Sequence, residues 1–312
     1  MKTKHTISML TRPQRIVRRA GFTVFTLGLL LIAGLMASPA GVRFANRGAH
    51  AAALMTTFTV NSKVDGTLAA LAGNATCDLR EAIAAANTNA AVGQCPAGMA
   101  GMDTINFAPN VTGTITLTAG ELMISQALTI TGPGAGSLTI SGNQASRVFN
   151  IAAGNFDVTL SGLTIANGQV KGVDVNPIAG NGEGGGIRNA SIGTVEIANC
   201  TISGNSAIGG QAIGELPDPL PETLPEVIGG KGSGGGIFNA DAGTIRVTSS
   251  TLTTNSATGG RVSGVGSLTG GEGKGGGIFN AAAGTIMVTN STLTTNSATG
   301  GRASDVIYLT GG

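Results

Sequence analysis

The segment Gly275–Asn296, GGGIFNAAAGTIMVTNSTLTTN, is nearly duplicated at Gly234–Asn255 and more loosely at Gly184–Asn205, with spacings of 275 − 234 = 41 and 234 − 184 = 50 residues. The same offsets recur in each copy. Ile187, Ile237 and Ile278 correspond, as do Val195, Ile245 and Ile286, Ile197, Val247 and Val288, and Ile202, Leu252 and Leu293. Self-similarity at such a period marks a stacked-repeat architecture. Within a copy, apolar residues alternate with polar ones, as in Thr285-Ile286-Met287-Val288-Thr289. That is the period of a strand with one buried face. β-branched residues fill the runs, while Gly and Asn punctuate them where a corner needs positive φ. Short parallel strands joined by tight corners can pair with identical neighbours and bury one aliphatic row. The expected fold is all-β, a right-handed parallel β-helix.

Three alignments sharpen the expectation. Asn205, Asn255 and Asn296 share one corner and Asn189, Asn239 and Asn280 another, so their amides should hydrogen-bond along the solenoid as ladders. Leu163, Cys200, Ser250 and Ser291 align at one small inward position, which makes Cys200 a core residue. On the outside, Glu196 should lie one strand spacing, about 4.8 Å, from Arg246 and pair with it.

Composition supports this class. The chain of 312 residues has 52 Gly, no Trp, one Tyr and 11% charged residues, which suits a fold of many corners with an aliphatic interior. Eight of its 18 basic residues and none of its 16 acidic ones fall in residues 1–51, so the remainder carries 10 − 16 = −6. That balance argues against nucleic acid as a partner.

Residues 1–51 have the order of a secretion leader: Lys2, Lys4, Arg12, Arg15, Arg18 and Arg19, then the apolar run Gly21–Met36, then small residues. Ser38-Pro39-Ala40 and Ala49-His50-Ala51 both fit cleavage, and the alternative is an uncleaved anchor as the one contact with a membrane. The expected location is therefore secreted or cell-surface. Residues 52–110 form an N-terminal cap: Asp78 and Glu81 make a capping box, and Leu79, Ala82, Ile83 and Ala86 make one apolar stripe. An open solenoid needs such a helix over its first coil. Residues 111–312 form the β-helix proper.

Cys77–Asn87, CDLREAIAAAN, followed by Asp103-Thr104-Ile105-Asn106-Phe107, resembles the CSLREA-type motif of secreted bacterial β-helix proteins, with Asp78 in place of the usual Ser. The GGGIxN copies resemble repeats of polymorphic outer-membrane and autotransporter-like surface proteins. These resemblances imply the fold and export, and they assign no activity. In an exported chain, Cys77 and Cys95 bracketing the helix suggest a disulfide closing a loop of about 19 residues, worth nominally ~3 kcal/mol; the alternative is two free thiols.

The search for chemistry narrows the functional classes. The two histidines, His5 and His50, lie in or beside the leader, so the mature fold holds no His base. Gly180, Gly182 and Gly185 satisfy G-x-G-x-x-G without a βαβ unit. Excursions at residues 206–233 and 258–274 separate the copies, the first containing GELPDPLPETLPEV, expected as an extended solvated loop. It is either a partner or cation contact or a tolerated insertion. Glu215, Asp218, Glu222 and Glu226 are its candidate ligands for calcium, in a spacing unlike an EF-hand. Outward acids do not stack: Glu183 should meet Ser233 and Lys274. Phe238 and Phe279, at the position of Arg188, should stack on each other. At the 41-residue spacing another copy would begin beyond Gly312, so the expectation is a fragment or end-to-end self-association. The sequence reading is an exported scaffold or adhesin-like protein without catalysis, with an unknown surface or carbohydrate ligand. The alternative is a polysaccharide lyase or glycoside hydrolase of the pectate-lyase-like β-helix type.

Overall fold

In a computed structural model, the structure describes residues 55–215 and 223–305. The leader, Asp218, Glu222 and the last seven residues lie outside them. The described chain is a parallel β-helix. Three sheets run along it, and each full coil contributes one strand to each. Sheet I has five strands, ending on Leu122–Ile124 and Ile278–Asn280; sheet II has seven, from Thr57–Val60 to Thr285–Thr289; sheet III has six, from Gly113–Thr116 to Thr292–Thr294. Every strand pair between them is parallel.

The inward column of sheet II shows why the chain folds this way. Phe58, Ile105, Ile130, Leu160, Ile197, Val247 and Val288 stack in register. From Ile105 onward the steps are 130 − 105 = 25, 160 − 130 = 30, 197 − 160 = 37, 247 − 197 = 50 and 288 − 247 = 41 residues. Coil length doubles while register is kept, so each repeat is one coil with a lateral excursion. Two 25-residue coils have three short strands and little else, which makes about 25 residues the minimum circuit of this fold. Both Asn ladders form. Asn205 Nδ2 donates to Asn255 Oδ1 and Asn255 Nδ2 to Asn296 Oδ1, each at 2.9 Å, and Asn189, Asn239 and Asn280 repeat the pattern at 2.8 Å. Each Asn205-type amide also reaches backbone, such as Ile165 O and Gly168 N, so the buried amides of this ladder are paired. Cys200, Ser250 and Ser291 stack as expected, with the Ser250 hydroxyl accepting from the Cys200 amide at 3.0 Å. Burial pushes the Cys200 thiol up to about 11.

The excursions carry strands of their own, while residues 216–222, the middle of the expected solvated loop GELPDPLPETLPEV, lie outside the described residues. Past each corner Asn, a strand leaves the solenoid and another returns, and these stack into sheets of their own, Gln169–Lys171 with Ser206–Ile208 and Ser256–Thr258, and Gly182–Glu183 with Gly232–Ser233 and Gly273–Lys274. The outer part is a lobe with its own small core of Ala179, Ala212, Val227 and Val262. Between lobe and solenoid lies a neck built from glycine. Gly210 N donates to Gly180 O, Gly230 to Gly210, Gly260 to Gly230, Gly271 to Gly260 and Gly301 to Gly271, at 2.7–2.9 Å. Outgoing and returning segments thus alternate in one hydrogen-bonded column. A Cβ on Gly260 would run into the Gly210 carbonyl and one on Gly230 into the Gly180 carbonyl, so no other residue fits.

At the N-terminal end, α1 spans Leu68–Leu71 and α2 spans Leu79–Thr88, with Leu79, Ala82, Ile83 and Ala86 buried as the stripe requires. The Asp78 amide donates to Glu81 Oε2 at 3.1 Å, and Cys77 and Cys95 form the disulfide. α2 lies against the edge strand Leu122–Ile124 and satisfies its free backbone groups. Asn87 accepts from Ser125 N and donates to Met123 O, while the Arg80 guanidinium donates to Gly120 O and Glu121 O. Asp65 fixes Arg80 at 2.8 Å. Arg80 and Asn87, two turns apart on one helix, therefore read a β-edge that would otherwise template association.

One expected contact does not form. Glu196 is in register with Arg246, but its carboxylate accepts from the Thr248 hydroxyl at 3.1 Å, and the described residues contain no Glu196–Arg246 ion pair. The threonine is two residues along the next strand, still within reach of a glutamate, and a neutral partner costs less desolvation than an exposed guanidinium recovers.

Candidate functional site

Parallel stacking converts each sequence offset into a column, so surface chemistry follows from which residues share an offset. The outward column of sheet I reads Met123, Asn150, Arg188, Phe238 and Phe279. Beside it the returning neck strands give a second column, Glu183, Ser233 and Lys274. Asn181 and Lys231 precede two of those strands. The two columns enclose a groove of about 260 Å³ that runs along the solenoid, with Phe238 and Phe279 as one wall and Lys231 and Lys274 on the other. The rings stack with centroids 5.9 Å apart and planes at 22°. Phe238 is buried, and Phe279 remains partly open to the groove.

Charge is arranged in short, paired steps. Glu272 sits between two lysines, 2.9 Å from Lys231 and 2.8 Å from Lys274, and these ammonium groups hold its carboxyl down to about 2. Glu183 pairs with Arg188 at 3.4 Å. Upstream, Arg147 pairs with Glu121 and donates through Nε to Gly184 O at 2.7 Å and through Nη2 to Glu183 O at 2.7 Å. Burial pulls the Arg147 guanidinium below its usual range, with Glu121 opposing. Arg147 is thus a clamp that fixes the turn on which Glu183 is carried.

Glu272, held near 2, stays ionised at neutral pH, and Glu183 has a cationic partner in Arg188. The groove lining carries 2 − 1 = +1 from Lys231, Lys274 and Glu183, and Arg188 and Glu272 beside it cancel, within a chain that is −6 beyond the leader. Its field favours an anion.

The sequence-level candidates fall elsewhere. The Asn ladders are structural columns, buried at Asn189, Asn205, Asn239 and Asn255 and partly exposed at Asn280 and Asn296. Glu215 and Glu226 lie exposed on the lobe, Glu215 beside a shallow depression with Asn176, Pro177 and Ile213. Asp218 and Glu222 are outside the described residues, and among the described residues no three His, Cys, Asp or Glu side chains gather around a common point. Lys231, Lys274, Glu272 and the Arg147 clamp were not singled out as a site; the register of Glu183, Ser233 and Lys274 was the signal that pointed there. Comparison with protein families, curated proteins and solved structures finds no match to this chain.

Proposed function

We propose that the protein is an exported, secreted or surface-attached β-helix scaffold that binds an extended anionic polysaccharide along the groove beside sheet I and does not turn it over. The groove carries this reading: two cationic side chains from successive coils, Lys231 and Lys274, and an aromatic edge line it along the solenoid axis, as a linear ligand would lie. Phe279 offers an apolar surface to the C–H face of a sugar ring, and Lys231 and Lys274 offer charge to a carboxylate or sulfate. The Cys77–Cys95 disulfide supports an oxidising destination, and the solenoid's rigid stacking supports a scaffold role.

A panel of neutral and acidic polysaccharides, titrated calorimetrically against the purified chain, tests the reading. Acidic polymers should bind and neutral ones should not. Lys231→Ala with Lys274→Ala should weaken binding by about tenfold or more and reduce its salt dependence. Chain cleavage during the titration, detected as new reducing ends or unsaturated products, would replace this reading with the lyase or hydrolase alternative.

A further inference from the structure

A different face of the solenoid carries a second and independent pattern. Each of the six strands of sheet III presents a central aliphatic inward and its two flanking residues outward. The first outward position is threonine on every strand: Thr114, Thr139, Thr164, Thr201, Thr251 and Thr292 stack in register without interruption. The second outward position is Thr or Ser on every strand except one, where Ala166 stands. The hydroxyls therefore form a net with repeats of about 4.8 Å between rungs and about 6.7 Å along each strand.

The β preference of threonine accounts for its use on any outer face, but not for this uniformity. The same solenoid places Glu196, Arg246 and Met287 in the equivalent column of sheet II, and Asn150, Arg188 and Phe238 in that of sheet I. Charge and aromatic rings are thus tolerated outside two sheets and excluded from the third. On the second and third rungs the net is partly overlaid: Ser141 and Ala166 are buried, and the Thr164 hydroxyl donates to Ala135 O, whereas Thr114 and Thr116 on the first rung are exposed. It continues over the last three coils, where Thr201, Ser203, Thr251 and Thr253 are half-buried and Thr292 and Thr294 exposed. The next sheet continues it with Ser206 and Ser256, whose hydroxyls lie 3.1 Å apart.

We propose that this outer face of sheet III is an ice-binding surface. Ice is an uncharged, planar lattice of hydrogen-bonding oxygens whose faces repeat on a scale close to that of the hydroxyl net. An uncharged hydroxyl array complements it, whereas charged side chains hold water in hydration shells that do not fit the lattice. Threonine is stiff at χ1, so its hydroxyl and methyl positions are fixed before contact and little side-chain entropy is lost on docking. Parallel coils hold the rungs at one spacing, which a loop surface cannot do. The occupant is the ice lattice itself, and the groove beside sheet I takes no part.

The purified chain is tested by freezing it slowly with a labelled control protein and measuring its partition into ice, alongside recrystallisation inhibition and ice-crystal shaping. The wild type should enter the ice phase and inhibit recrystallisation. Thr251→Lys, in the middle of the open net, should raise the concentration needed by at least about tenfold. Thr201→Lys should do the same, and circular dichroism and melting curves identify which of the two keeps the wild-type fold. Lys274→Ala, in the groove, should have no effect. Exclusion of the wild type from ice overturns the proposal, as does wild-type activity in a folded lysine variant. Binding to crystalline cellulose or chitin without binding to ice overturns it also, by assigning the face to a solid polysaccharide.

Discussion

The solenoid interior and the neck of the lobe solve one problem in opposite ways. Both must hold parallel strands of successive coils together out of water. The interior does so with side chains: columns such as Ile130, Leu160, Ile197 and Val247 are fully buried, and their apolar area contributes roughly 25 cal/mol per Å² removed from water. The neck does so by having none. There, backbone meets backbone, and the column from Gly180 to Gly301 is held by hydrogen bonds alone. Branched aliphatics of nearby size can replace one another in the first arrangement, whereas the second admits a single residue type. The corner Asn205, Asn255 and Asn296, between sheet III and the neck, is where one mode passes into the other.

Breaking the neck should have the largest effect. Gly260→Ala adds one carbon where the Gly210 carbonyl already stands, and backbone on both sides cannot yield, so a loss of about 3 kcal/mol or more is expected in chemical denaturation. A loss under about 1 kcal/mol would remove the contrast with the interior. The corner comes next. Asn255→Ala deletes the acceptor of Asn205 and the donor to Asn296 in a buried site, which should cost about 2–3 kcal/mol on the same measurement. Ile197→Val, a single methylene from the interior, should cost only about 1 kcal/mol. If it proved as damaging as the glycine change, the interior would be as exacting as the neck.

The smallest effect concerns the cap and sharpens the comparison from a third side. Glu81 is buried at the start of α2, and desolvation, with the nearby Asp78 carboxylate, raises its pKa above the usual value. A raised folded value means that the native state holds this proton more tightly than the unfolded chain does. Its stabilising share is therefore complete below the ordinary glutamate range and is lost as pH rises through the raised value. Glu81→Gln should flatten this decline in melting temperature without altering the neck or interior, as followed by melts from pH 3 to pH 8.

Much of the solenoid was legible because its determinants are local and repeated. Ile197, Val247 and Val288 share an offset, so their stacking could be read before any coordinates, and so could the two Asn ladders and the stacked Phe238 and Phe279. The stripe of α2 was equally plain. The neck was less so, although its signal was present: Gly-Gly doublets stand at 209–210, 229–230, 259–260, 270–271 and 300–301, at the mouths of the excursions. A doublet reads as a turn when taken alone, and only the stacking of outgoing on returning segments gives it another meaning. The groove lay hidden for a similar reason. Lys231 and Lys274 occupy different offsets, and their shared partner Glu272 brings them together through the returning strands.

By itself the sequence determined the period, the inward columns, the corner amides and the capping helix, because each depends on residue type at a fixed spacing; the structure decided between a Cys77–Cys95 disulfide and two free thiols. The tertiary structure decided what lies between the copies and beside them. It placed Arg80 and Asn87 on a β-edge, turned the excursions into a glycine-necked lobe, gave Glu196 to Thr248 instead of Arg246, and set a charged groove on one face and a hydroxyl net on another. The physical reason is that a repeat fixes which residues stack along the axis, while contacts around the coil depend on how far each excursion travels before it returns.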